Sequence, residues 1–285
     1  MVTVTPTEQL EKLHSAARRY CMERHFYWAT EYSKLSSDGK ARAGQSYTKE
    51  ALSVFPRYNV LNAILTDVER FIPADFDSLN HEREMLSRAG KTAQDLFTTG
   101  KQSEIEQQVM SEERERFSSF VEKISTDELE GIILLAYRRV LKETEAKNIH
   151  DSLEKIWQAR GYFYPLKERS REDLEGFQSA WFDREVDLDK LRQKILARGI
   201  ERIWELKEYG PEYEIATTLL EPNYGNGGEG FWTSNGFEWL IYTSHESSIT
   251  FGGWALLDLK SIWPDSERRI WNSPFYDTPS NLLRT

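Results

Sequence analysis

Apolar residues follow a helical period over the first two thirds of the chain. The pattern is helical between Pro6 and Tyr209, and in the first segment the spacings are three, four and seven residues, as on one stripe of an amphipathic helix, at Leu10, Leu13, Ala17, Cys21 and Trp28. Pro56 interrupts this pattern, because proline cannot continue a helix through its missing N–H. The pattern predicts helices over residues 6–35, on either side of Pro56, and over 78–98, 103–124, 126–146, 149–160, 171–182 and 187–209. The segment near 100–116 is so rich in Glu, Gln and Arg that it predicts a solvated, mobile hairpin.

The period changes to two after Gly210-Pro211. The stretches YEIATTLL, GFWTS, FEWLIYTS and SITFGG alternate in the way that is typical of strands. Asn235-Gly236 indicates a two-residue type I′ hairpin, which places Trp232 opposite Trp239. Both faces of this meander are largely apolar, so we expect the sheet to be covered on both sides.

A second hairpin turn contains His245 and Glu246. An even-numbered turn there places Thr243 opposite Ser248, with the His-Glu pair projecting from one end of the sheet. Polar residues occupy a hairpin tip simply because water is there. An imidazole beside a carboxylate and hydroxyl groups also suits a binding or acid-base site. A third interpretation is that the histidine anchors the turn to the helical region.

These patterns predict a predominantly helical α+β protein. Residues 1–210 form the helical region, and residues 211–285 form a Trp-rich antiparallel β module packed on it.

Charge and composition narrow the classes of function. The 285 residues carry a net charge of −10, and residues 211–285 hold ten acidic against four basic side chains, together with five of the nine tryptophans. Such a surface repels a phosphate backbone and suits a basic protein partner. The chain has no apolar run of membrane-spanning length and no secretory pattern at its start, and the single cysteine, Cys21, excludes an internal disulfide framework. We therefore expect a cytoplasmic protein without a membrane segment.

Two short stretches resemble functional motifs but lack a residue or a structural element that the motif requires. HESSI begins like the zinc motif H-E-x-x-H, but Ile249 stands where the second histidine is required. GNGGEG matches G-x-G-x-x-G, yet a strand follows it instead of the helix whose amino terminus would face a pyrophosphate. We interpret it as a flexible turn, in which Glu229 would also repel a phosphate.

A nuclease-like triplet supports one alternative. Asp258-Leu259-Lys260 fits the D/E-x-K part of metal-dependent nucleases, with Glu238 as the candidate partner carboxylate. The same spacing of acid and lysine occurs at residues 38–40, 145–147 and 205–207, so it is close to chance in this chain. This alternative requires Glu238, Asp258 and Lys260 to converge.

The sequence therefore predicts a non-enzymatic interaction protein of the adaptor, immunity or accessory-subunit kind, whose acidic aromatic end contacts another protein. Trp232, Trp254, Trp263 and Trp271 are expected as core or interface aromatics, with His245 and Glu246 at the rim. No cofactor or metal is indicated, and the oligomeric state stays open. The alternatives are a metal-dependent hydrolase acting on phosphoesters and a small-ligand sensor whose pocket is the aromatic end.

Overall fold

The chain forms two compact units. The computed structural model describes residues 5–159, 171–225 and 227–271, and it divides at Met1–Leu135 and Ala136–Thr285. The first unit is almost wholly helical, whereas the second is built on an antiparallel sheet with helices. The predicted α+β class is confirmed.

The first unit is a helical bundle with well-capped helices. Thr5, Ser78, Ser103 and Ser125 each accept a backbone N–H at a helix start, as N-cap residues do. Leu13, Ile64, Leu86 and Phe117 are fully buried in its core. Its elements are α1 Pro6–Ser37, β1 Arg42–Ala43, β2 Ser46–Tyr47, α2 Lys49–Leu52, α3 Phe55–Val68, α4 Leu79–Thr92, α5 Glu104–Lys123 and α6 Thr126–Glu130.

The second unit contains a seven-stranded antiparallel sheet. Its elements are β3 Arg138–Val140, α7 Glu143–Trp157, β4 Leu174–Gln178, α8 Ser179–Glu185, α9 Leu188–Leu196, β5 Arg202–Lys207, β6 Tyr213–Ala216, β7 Gly230–Thr233, β8 Trp239–Ser244, β9 Ser248–Gly253 and α10 Trp254–Ile262. The strand order is β3-β6-β5-β7-β8-β9-β4.

Helices cover both faces of this sheet, as the alternation of apolar residues predicts. Trp239 and Ile241 face a core that includes residues of α8, α9 and α10. Leu240 and Tyr242 face the opposite core, which includes Trp157 and other residues of α7. Every residue of β8 is therefore buried.

The predicted division into 1–210 and 211–285 differs from the observed units. Strands β3, β4 and β5 lie before residue 211, in the segment predicted as helical. These strands are short and lie close to helices in the sequence, and β3 and β4 pair with β6 and β9, which are about seventy residues or more away. The β module therefore begins near residue 136, and the covering helices belong to the same unit.

The β8–β9 register differs by one residue from the predicted pairing. Ser244 pairs with Ser248 and Thr243 with Ile249, so the turn contains the three residues His245, Glu246 and Ser247. Ser247 has φ of 58°, the left-handed conformation that closes a three-residue turn. A one-residue slip turns Ile249 and Phe251 to the other face, where they join the core of Trp239.

The β7–β8 register is shifted by two residues. Trp232 pairs with Ile241 instead of Trp239, and the hairpin loop contains Ser234, Asn235, Gly236, Phe237 and Glu238. Phe237 takes a positive φ of 53° in this loop. A shift of two preserves the faces, so the predicted sides of Trp232 and Trp239 are correct.

Among the helices of the described residues, none combines the length and the apolar character that crossing a membrane requires.

Candidate functional site

The His245–Glu246 turn is tied to a second loop through one buried carboxylate. The backbone N–H of His245 lies 3.3 Å from Glu229 Oε1, and the imidazole Nδ1–H donates to the same oxygen. Tyr242 donates its buried hydroxyl to Glu229 Oε2. The histidine therefore anchors its turn, but to Glu229 of the glycine-rich stretch.

The glycine-rich stretch folds back on the turn between β5 and β6. Gly227 and Gly228 have φ values of 102° and 76°, which side-chain-bearing residues rarely adopt. A Cβ on Gly228 would lie 2.6 Å from Glu208 Oε2 and 2.9 Å from Tyr209 Cδ2, so a side chain there would require both neighbours to move. The backbone N–H of Tyr209 donates to Gly227 O at 2.9 Å, and that of Glu208 to Glu229 O at 2.8 Å.

Other contacts hold the hairpin tip from its far side. The indole Nε1–H of Trp271 donates to Glu246 O at 2.9 Å. The backbone N–H of Ser179 donates to Ser247 O at 3.0 Å. The tip is therefore fixed on two sides.

We call this region the loop end: residues 208–212, 223–225, 227–229 and 245–247. Its most exposed large side chains are Tyr209 at 65% and Tyr224 at 51%. Glu208 and Glu246 add carboxylates, and the side chain of His245 is 43% exposed. The loop end therefore presents aromatic rings beside acidic groups.

The electrostatics of the loop end favour a charged imidazole. The hydrogen bond from His245 to Glu229 raises the pKa of the histidine, and the nearby carboxylates of Glu246 and Glu208 act in the same direction. Glu246 Oε1 lies 3.4 Å from Nε2. Because the imidazole lies between two carboxylates and the Tyr242 hydroxyl is buried, the arrangement is suited to hold a proton and fix two loops.

The four tryptophans predicted as core or interface residues pack mainly in the core. Trp232, Trp263 and Trp271 are buried, which removes their rings from the surface. Their indole N–H groups are satisfied internally; Trp263, for example, donates to Glu185 Oε2 at 2.8 Å. Trp254 is half-buried, packs against Trp239 with a tilt of 38° and 5.1 Å between centroids, and lies under the Arg198 guanidinium at 4.2 Å.

Asp258 and Lys260 do not share one site. Both belong to α10, where residues two apart point in nearly opposite directions. Asp258 Oδ2 pairs with Arg198 Nε at 2.9 Å, and Lys260 Nζ pairs with Glu175 Oε2 at 2.7 Å. Glu238 is exposed in the β7–β8 loop and, like Asp258, raises the pKa of Arg198, whereas Lys260 pairs elsewhere. The convergence required by the hydrolase alternative is therefore not observed for these three residues.

The parts of the chain that the structure describes contain no group of three or more His, Cys, Asp or Glu side chains placed to hold a metal ion.

Sequence reasoning missed Glu229, Tyr209 and Tyr224 as members of the loop end. The signal available was Glu229 itself, a carboxylate in a glycine-rich stretch close to a buried strand. Its contact with His245, sixteen residues away, depends on how the two loops fold over the sheet.

No protein-family model, no curated protein and no solved structure matches this chain.

Proposed function

We propose that this protein is a non-enzymatic interaction protein of the adaptor, immunity or accessory-subunit kind, and that the loop end binds another protein carrying basic groups. The proposal rests on one observation: Tyr209 and Tyr224 are exposed on loops that Glu229 and the glycine-rich stretch hold in place. Tyrosines contribute disproportionately to protein interfaces, and preordered loops lose less entropy on binding.

Charge supports a basic partner. Glu208 and Glu246 flank His245, and residues 211–285 hold ten acidic against four basic side chains. A positively charged protein surface would be attracted to this end, whereas a nucleic-acid backbone would be repelled.

The proposal also places the protein in the cytoplasm. Cys21 is a free, buried thiol, as is usual in a reducing compartment.

The experiment is quantitative co-purification from host cells at physiological salt. We expect one protein partner in stoichiometric amount with the unchanged chain, and a loss of about tenfold or more in its affinity for the Tyr209→Ser/Tyr224→Ser double variant. Leu257→Ser is the matched control, because Leu257 is an apolar residue of the same unit with 68% exposure, on α10.

Retention of the partner by the double variant would contradict the proposal. So would recovery of nucleic acid together with a Mg²⁺-dependent cleavage activity that Asp258→Ala abolishes.

A further inference from the structure

The first unit contains a long groove between α1 and α5. Its volume is about 840 Å³, and its apolar lining consists of Ala16 and Tyr20 from α1, Phe120 and Ile124 from or next to α5, and Ile132 after α6. The rings of Tyr20 and Phe120 stack at 4.6 Å between centroids and form its floor.

The groove has the length of a short helix. Its lining on α5 extends from Glu112 to Lys123, a distance of about 17 Å at 1.5 Å per residue. On both helices the lining residues recur at spacings of three and four, so each wall is a row of side chains on one helical face. A row of side chains on a third helix can pack between two such rows.

Charges differ between the two ends of the groove. The helices are antiparallel here, since Arg24 contacts Glu113 while Lys12 reaches the carbonyl of Glu130. The charged lining residues divide between the two ends as Arg19, Lys123 and Glu128 at one and Glu23, Glu112, Glu115 and Arg116 at the other, so the first end is net positive and the second net negative.

One hydrogen-bond donor of Arg19 has no acceptor among the described residues. Its Nη2 donates to Ile133 O at 2.9 Å, but its buried Nε–H meets no acceptor within the described residues. The Nε atom itself is enclosed by protein atoms, so a carboxylate entering at this end would be attracted by the positive charge of the half-buried guanidinium and not by this N–H.

We propose that the α1–α5 groove binds an amphipathic helix of about three turns from a protein partner, with an acidic side chain toward Arg19 and Lys123 and a basic one toward Glu23 and Glu115. The two charged residues of that helix lie about one to two turns apart, matching the spacing of the charges on α1 and α5. This site uses residues of the first unit alone, so it stands or falls separately from the loop end.

The test uses two labelled, helix-stapled peptides with leucines at intervals of three and four residues. Peptide A carries one lysine and one glutamate two turns apart, and in peptide B the glutamate is replaced by lysine. Fluorescence anisotropy with the full chain should give a Kd below about 0.1 mM for peptide A, with binding to peptide B weaker by about two- to fivefold.

Two variants of the groove sharpen the test. Lys123→Glu should reverse the preference, so that peptide B binds more tightly than peptide A, whereas Lys101→Glu, an exposed change before α5, should leave the preference unchanged. Ser119→Trp fills the groove from its α5 wall and should weaken peptide A by about tenfold or more.

Three results would overturn the proposal. The first is no saturable binding of either peptide to the folded chain. The second is equal binding of peptide A to Ser119→Trp when that variant keeps the unfolding transition of the unchanged protein. The third is concentration-dependent dimerisation that Ser119→Trp abolishes, because the occupant would then be a second copy of the chain.

Discussion

Replacing Glu113 by alanine is expected to lower the free energy of unfolding of the first unit by about 2–3 kcal/mol, since it removes a fully buried carboxylate that pairs with three arginines, of which Arg57 is largely buried and Arg24 and Arg116 are partly exposed. Glu113 is fully buried in α5, and its carboxylate receives hydrogen bonds from three arginines. Arg24 donates through Nε and Nη2 at 2.8 and 2.9 Å, Arg57 through Nη1 at 2.8 Å, and Arg116 through Nη1 at 2.9 Å. These contacts connect α1, α3 and α5 through one side chain.

Urea denaturation followed by circular dichroism measures the effect. Glu115→Ala is the control, because Glu115 lies two residues further along the same helix and is exposed; its change should stay within about 0.5 kcal/mol. Equal stability of the two variants would show that the three arginines do not depend on Glu113.

Replacing Glu82 by glutamine is expected to stabilise the protein by about 3 kcal/mol at pH 7. Glu82 is fully buried in α4, and neither of its carboxylate oxygens has a hydrogen-bond partner among the described residues. Burial raises its pKa from 4.5 to about 9, so the folded chain holds a proton there that the unfolded chain releases. Glutamine is neutral in both states and removes this difference.

The pH dependence has a definite sign. Between pH 4.5 and about 9 the folded form binds more protons at Glu82 than the unfolded form, so stability falls as pH rises through this range. The unfolding free energies of the Glu82→Gln variant and the unchanged chain should therefore agree near pH 4 and diverge toward pH 9. Glu84→Gln, at an exposed position of α4, should follow the unchanged chain at every pH. If the unfolding free energies of Glu82→Gln and the unchanged chain differed by the same amount at every pH, the raised pKa of Glu82 would be contradicted.

The helices of the first unit are largely predictable from local signals. The apolar stripe of α1 and the interruption at Pro56 appear directly in the residue pattern. The role of α5 in the core cannot be predicted in this way, because its Glu- and Arg-rich sequence predicts a solvated, mobile hairpin. Glu113 is buried there only because Arg24 and Arg57 meet it from other helices, and that meeting depends on tertiary packing.

In the sheet, local sequence patterns predict the positions of some strands but not how the strands pair. The positions of β7, β8 and β9 follow from alternation, but both hairpin registers depend on Phe237 and Ser247 adopting positive φ. Residues other than glycine rarely do so, and the sequence therefore favours a two-residue turn at Asn235-Gly236 and an even-numbered turn at His245-Glu246. The pairing of β4 with β9 joins segments about seventy residues apart, which no local pattern indicates.

The loop end contains turns that the sequence predicts and a contact between them that it does not predict. Its turns can be located from the sequence, since His245 and the glycine-rich stretch stand out as polar and flexible positions. The bond that joins them cannot, because Glu229 and His245 meet only once β7 and β8 pair and bring their ends together. A histidine-anchored turn is one of three interpretations of the sequence, and it places the anchor in the helical region, whereas the structure places it at Glu229.

The most direct test of this account is the titration of His245 by NMR, because the loop end exists as one surface only if Glu229 holds that imidazole. The account predicts a pKa above the ordinary value of 6.5 in the unchanged chain and a return toward 6.5 in Glu229→Gln. The stabilisation from this contact should then be fully present below pH 6.5 and lost as the pH rises through the raised pKa. His25 of the first unit, whose pKa is lowered by burial, serves as an internal control and should titrate alike in both proteins. An ordinary pKa for His245 in the unchanged chain, or a raised pKa that persists in Glu229→Gln, would contradict the account.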